Sequence, residues 1–135
     1  MERFHRICAH IPFWLPTAFT LALILWLTLS PDPAGTPMPM FPGADKIVHA
    51  LMFGFLAAIL LFDWQRAHAW RPASKKVIWL MAAVSALTGV AVEYAQRAMA
   101  LGRAFEWADM AADAVGAVIV AAGWQLLQKR WSHPV

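Results

Sequence analysis

The chain has 135 residues, of which 61% are hydrophobic and 14% charged, with a formal net charge of +3. Soluble domains carry about 25% charged residues, so this composition describes a membrane protein and excludes an ordinary small soluble domain. The eleven Lys and Arg residues stand in short groups between apolar runs, which is how topology signals are distributed and not how a nucleic-acid footprint looks.

The first apolar segment, about 13–29, carries no charge and fills roughly the 20 residues that a hydrocarbon core of about 30 Å requires. Pro12 and Pro16 lie in its first turns, where missing amide donors do least harm, and Ser-Pro-Asp-Pro from Ser30 ends it. Arg3 and Arg6 ahead of it imitate a signal peptide. The run is long, however, and no small-x-small cleavage site follows, so it reads as an uncleaved membrane helix. Cys8 is the only cysteine, which leaves no intrachain disulfide and no cysteine-rich metal site. The Pro-rich stretch PDPAGTPMPMFPGAD reads as an extended loop whose Met38, Met40 and Phe41 dip into the interface.

Three further segments, about 44–64, 76–97 and 107–127, complete four expected helices, with QRAHAWRPASKK between the second and third and QKRW after the fourth. Six tryptophans, at 64, 70, 79, 107, 124 and 131, fall near predicted ends, as an interfacial belt places them. Small residues on the third helix (Ser85, Gly89) and the fourth (Ala108, Ala112, Gly116, Gly123) let backbones approach. The expectation is an all-α membrane protein, a single domain over 1–135 folded as a compact four-transmembrane-helix bundle. Eight Lys and Arg lie on the side of the termini and three, Lys46, Arg97 and Arg103, on the other. The positive-inside rule then puts both termini in the cytoplasm.

Charge is otherwise concentrated at one depth. Asp45 and His49 are four apart on the second segment, with Lys46 beside them and Phe53 one turn further in. Glu93, Gln96 and Arg97 form an i, i+3, i+4 set near the outer end of the third. Glu106, Asp109, Asp113 and Gly116 follow spacings of three, four and three, one stripe descending along the fourth. Taken singly, His49 reads as a packing histidine, Lys46 and Arg97 as snorkelling cations, and Asp109 as a helix-start acid. Asp113 and Glu93 are harder to explain away, because a carboxylate beside apolar sequence is costly unless paired. Arg103 is the natural cation for such a carboxylate.

Together these blocks, DKIVHALMFGFL, VEYAQ and GRAFEWADMAADAVGA, resemble the VanZ-like family of small bacterial membrane proteins. That family shows Asp-Lys-x-x-His with a following Phe, Glu-x-x-Gln before an outer loop, then Gly-Arg and an Asp-x-x-x-Asn-x-x-Gly helix. Asp113 departs from it, standing where the family usually has Asn. The resemblance implies a place in the bacterial cell envelope and a link to resistance to the glycopeptide teicoplanin. It is an argument by analogy.

The favoured functional expectation is a binding or lipid-handling site at the outer leaflet of the bacterial cytoplasmic (inner) membrane, formed by Asp45, Lys46, His49, Glu93, Gln96, Arg97, Arg103, Glu106, Asp109 and Asp113. Lys46, Arg97 and Arg103 would meet a phosphate or other anion, and the carboxylates would orient them and bind headgroup donors. The expected partners are membrane lipids, a lipid-linked cell-wall precursor or a lipoglycopeptide, with no nucleic acid, no cofactor and no resident metal. One alternative is an intramembrane metal-dependent hydrolase using His49, Glu93, Asp109 and Asp113. HExxH, histidines at metal spacing and GxSxG are absent from the sequence. Another is a structural subunit of an envelope complex. A channel is disfavoured because the inner halves of the segments read as apolar.

Overall fold

The computed structural model describes residues 11–30, 41–99 and 106–132. They form four helices: α1 (Leu15–Leu29), α2 (Ala44–Ala67), α3 (Lys75–Met99) and α4 (Trp107–Ser132). Each start has a local cause. Prolines at 12 and 16 delay the first helical ladder until Leu15, whose amide closes a turn on the Pro12 carbonyl at 3.0 Å. Gly43 turns the chain into α2 with φ +85°, a conformation that a side chain would strain. The Ser74 hydroxyl accepts from the Val77 amide at 3.3 Å and caps α3.

Helices α2, α3 and α4 are each long and apolar enough to cross a membrane. Helix α1 has 15 residues, about 22 Å at 1.5 Å per residue, against a hydrocarbon core of about 30 Å. Three helices therefore meet the length that four were expected to meet. The later helices run past their expected ends, α2 to Ala67 and α4 to Ser132. Met38 and Met40, Cys8, Arg103 and Trp131's surroundings lie outside the described residues or side chains, while Phe41 is exposed.

Contacts fix the helix directions. Helix α2 packs most extensively on α4, α4 also packs on α3, and α1 lies against α2 and α3. Residues near the starts of α2 and α4 meet each other and the end of α3, as Lys46 does with Asp109 and Glu93 does with Glu106. At the opposite end, Asp63 of α2 meets Thr17 of α1. The four helices thus alternate in direction, and the ends of α1 and α3 lie together, joined by the Gln96 amide donating to the Thr28 carbonyl at 2.8 Å.

Between the two ends the interior is mainly apolar, with the buried Ser85 hydroxyl donating to the Phe53 carbonyl at 2.6 Å. Ile24, Phe53, Leu56 and Val92 form one layer, and Ala57, Leu61, Ile78, Ala82, Ala117 and Ala121 belong to the next. Glycine and alanine at these positions let α2 and α4 touch backbone to backbone. A Cβ at Gly54 would lie 3.1 Å from the Gly116 carbonyl, and one at Gly116 would overlap the Ala50 carbonyl. Gly123, expected among these contacts, faces open space. Phe19, Leu51, Phe55, Leu87 and Ile119 are more than half exposed, an outward apolar surface that water would penalise and lipid would solvate.

The end of the bundle opposite His49 is less apolar than its sequence suggests. Asp63 is buried and accepts from the Thr17 amide at 3.0 Å, the Thr17 hydroxyl at 2.7 Å and the Arg66 guanidinium at 3.3 Å. Arg66 also donates to the Ile11 carbonyl and lies 5.5 Å from the centre of the Phe62 ring. This cluster closes one end of the bundle and is separated from the other by the apolar layers, so it does not continue a polar path.

Candidate functional site

The crossing of α2 and α4 at Gly54 and Gly116 sets the site one turn further along. There His49 of α2 directs Nδ1 at the Asp113 carboxylate of α4, at 3.0 Å, and Nε2 lies 3.9 Å from Asp109. With Asp113 ionised, the Nδ1 hydrogen is donated to it, and a proton on Nε2 would face a second carboxylate. The imidazole stacks on Phe53 with ring centres 6.3 Å apart, which fixes its orientation from below. Asp113 is 1% exposed. Its other oxygen lies against the backbone of Gly89, where any side chain would collide with it.

Above this pair stands Lys46. Its ammonium lies 2.5 Å from Asp45 and 3.0 Å from Asp109, and it also pairs with Glu106. Lysine offers three N–H donors, and three carboxylates converge on them. Asp109 is therefore shared: one oxygen pairs with Lys46 and the other faces His49. Asp45 and Glu106 are the outermost members, with side chains 48% and 44% exposed, so the cluster opens at the bundle end and closes at Asp113.

Glu93 of α3 forms the third side. It is 2% exposed and accepts the Glu106 backbone amide at 2.7 Å, holding the chain as it turns into α4. Three expected site residues stand elsewhere or beyond description. Gln96 is buried, but the bond it makes is to α1. Arg97 is exposed on the last turn of α3. Arg103 lies outside the described residues, so its expected pairing with Asp113 or Glu93 does too; within them Asp113 meets His49.

Five of the chain's eight carboxylates, Asp45, Glu93, Glu106, Asp109 and Asp113, line this end. The described cations among them are Lys46 and, when protonated, His49. Carboxylates placed in this way can accept from a ligand that carries N–H and O–H donors.

The group whose ligand atoms come together is Asp45, Glu106 and Asp109, within 4.8 Å of one another, and not the set of His49, Glu93, Asp109 and Asp113. The Lys46 ammonium stands between those three carboxylates, so the place of a cation is taken by a side chain, and a metal does not fit unless Lys46 swings away.

The family model for VanZ/LLP1 matches residues 4–128, which includes every residue of this site. The chain belongs to the VanZ/LLP1 family. No curated protein and no solved structure matches it. For this VanZ/LLP1 protein the blocks around Asp45, Glu93 and Asp109 are thus brought by the fold to one end of three helices, and His49 and Asp113 touch across them.

The residues that sequence reasoning missed are Gly54, Thr17, Asp63 and Arg66. Gly54 stands in the run FGFLAAIL, where an isolated glycine on a helix signals close approach. Asp63 was visible as an acid three residues before Arg66 near the end of a segment, a spacing that also fits a solvated surface pair.

Proposed function

We propose that this protein binds a lipid headgroup or a lipid-linked component of the bacterial cell envelope at the outer-leaflet end of a four-crossing bundle, with both termini in the cytoplasm. The observation that supports the reading is the buried His49–Asp113 pair beneath Lys46 and its three carboxylates, open at the end of the bundle formed by the starts of α2 and α4 and the end of α3. The acidic balance selects the headgroup: amino and hydroxyl donors engage Asp45, Glu106 and Asp109, exchanging for the Lys46 ammonium they now hold. Asp113 and His49 form the floor, where a proton can pass between the imidazole and either carboxylate. A link to teicoplanin resistance, implied by the family, would run through the same site, since that glycopeptide is rich in donors and carries a lipid tail.

The lipids that co-purify with the wild type, read by native mass spectrometry, test this. An amino- or hydroxyl-headgroup lipid retained by the wild type and lost from folded Asp109→Asn and Glu106→Gln variants supports the site. Identical lipid profiles in the three proteins eliminate it. The same panel separates the structural-subunit reading, in which the variants lose folding and not binding alone. The hydrolase reading requires stoichiometric metal in protein purified without chelator.

A further inference from the structure

The contacts that shape the polar site are made among α2, α3 and α4: His49 with Asp113, Asp113 against Gly89, and Glu93 with the Glu106 amide. Among the described residues α1 supplies no group to it. What α1 covers is the layer directly beneath. Ile24 packs with Phe53, Leu56 and Val92, and Leu21 lies against the same layer, while the ring of Phe53 stacks on His49. The apolar floor of the site is therefore the seam between α2 and α3, covered by α1.

The two ends of that cover are fastened unequally. At its start the ionised Asp63 accepts from the Thr17 amide at 3.0 Å and the Thr17 hydroxyl at 2.7 Å, and Arg66 donates to the Ile11 carbonyl. Bonds to charged groups are roughly twice as strong as neutral ones. Near the other end the described bond between helices is neutral, the Gln96 amide donating to the Thr28 carbonyl at 2.8 Å. The Thr28 hydroxyl is buried but donates within its own helix, to the Ile24 carbonyl at 2.7 Å, so it keeps that bond when the helix moves. Lipid chains are as apolar as leucine, so Leu21 and Ile24 gain packing from the layer they cover and no hydrophobic drive.

We propose that the Thr28 half of α1 swings about its Asp63 end, and that one acyl chain of a bound lipid takes its place on Phe53, Leu56 and Val92. The choice of occupant follows from continuity and rests on the headgroup reading given above. A lipid whose headgroup engages Asp45, Glu106 and Asp109 starts its chain beside His49, and the floor runs from His49 to Leu56 for about 10 Å along α2. Leu23, Leu25 and Trp26 already face outward, so the displaced helix stays solvated by lipid.

Paired spin labels read the movement. In a Cys8→Ser background, Leu25→Cys with Ile119→Cys reports the Thr28 half and Phe19→Cys with Leu126→Cys the Thr17 half, all four at exposed positions. Double electron-electron resonance on the full chain in detergent should show the first pair gaining a longer distance when diacyl phosphatidylethanolamine is added, with the second pair unmoved. Glycerophosphoethanolamine, which has the headgroup and no chains, should leave both pairs as they were. Gln96→Leu should raise the longer-distance population about fivefold without lipid, as loss of one ordinary hydrogen bond does. A first pair that ignores the diacyl lipid overturns the proposal, as does an equal response to the chainless headgroup or a movement shared by both pairs. A folded Gln96→Leu protein with an unchanged population overturns it too; if that variant does not fold, the lipid comparison decides. The headgroup reading fails separately. A first pair that still opens for phosphatidylethanolamine in Asp109→Asn keeps the chain site and discards the headgroup site, whereas headgroup-dependent lipid retention over an unmoved α1 does the reverse.

Discussion

The Asp113 carboxylate of α4 lies on the backbone of Gly89 in α3, so close that a Cβ at position 89 would overlap it. The neighbouring oxygen of the same group holds His49 at 3.0 Å. Gly89 is thus a positioning residue for a pair formed between two other helices. Gly89→Ala should push Asp113 off His49 and cost about 1–3 kcal/mol, the usual penalty for overpacking a tight interior. Nitrogen NMR of a histidine-labelled sample would read the change in the His49 ring directly, whereas a loss of stability with an unchanged His49 signal would show that the helices yield and the pair does not.

Much of this end was legible because helical spacing is strict. The intervals from Asp45 to His49 and from Glu106 through Asp109 to Asp113 put each set on one face, and those faces do meet. What spacing could not supply is which charges pair across helices. Lys46 was expected to face an anion, yet it donates to Asp45 and Glu106 and lies within ion-pair distance of Asp109, because α2 and α4 run in the same direction with their starts side by side. Gln96 shares a helix face with Glu93 in sequence, but the offset of about 60° that a three-residue step leaves around the axis is enough to aim it at Thr28 of α1. The length of α1 was misjudged for a local reason, since apolar residues continue through Phe13 and Trp14 while the proline-delayed helix starts at Leu15.

Removing the central cation should expose what it neutralises. In Lys46→Met, Asp45, Glu106 and Asp109 remain within reach of one another with no positive partner between them. The variant should unfold at lower temperature than the wild type in chelator, and millimolar calcium or magnesium should restore much of the loss, because a divalent ion replaces the ammonium among hard oxygen donors. The wild type should respond little to the same ions. A variant as stable as the wild type in chelator would mean that the three acids do not share Lys46 as a common counter-ion.

Asp63 should matter for α1 and not for the site. Its carboxylate gathers the Thr17 amide, the Thr17 hydroxyl and Arg66, and it stands 14 residues beyond His49, about 21 Å along the helix. Asp63→Ala leaves a buried arginine without that acceptor and should cost about 2–4 kcal/mol. Thr17→Val removes one hydroxyl donor and should cost about 1 kcal/mol. Hydrogen exchange should rise in the first turns of α1, with the His49 signal unmoved. Loss of the His49 environment in a folded Asp63→Ala protein would show that the two ends are coupled.

Two glycines on α4 provide a sharper comparison, because they carry the same substitution into opposite surroundings. A Cβ at Gly116 would run into the Ala50 carbonyl, whereas nothing lies within 4 Å of one at Gly123. Helix α2 must move away from α4 to admit the first, and it carries Lys46 and His49 with it, so both the Lys46–Asp109 and His49–Asp113 contacts should loosen together. Gly116→Ala is therefore expected to destabilise by about 1–3 kcal/mol and to shift the His49 resonance. Gly123→Ala should be neutral or stabilise by up to about 1 kcal/mol, since alanine restricts the unfolded chain and favours the helix. Equal effects at the two positions would mean that helix propensity, and not the close approach of α2 to α4, governs this face. Only the unequal result ties the geometry of the polar site to a backbone contact one turn away from it.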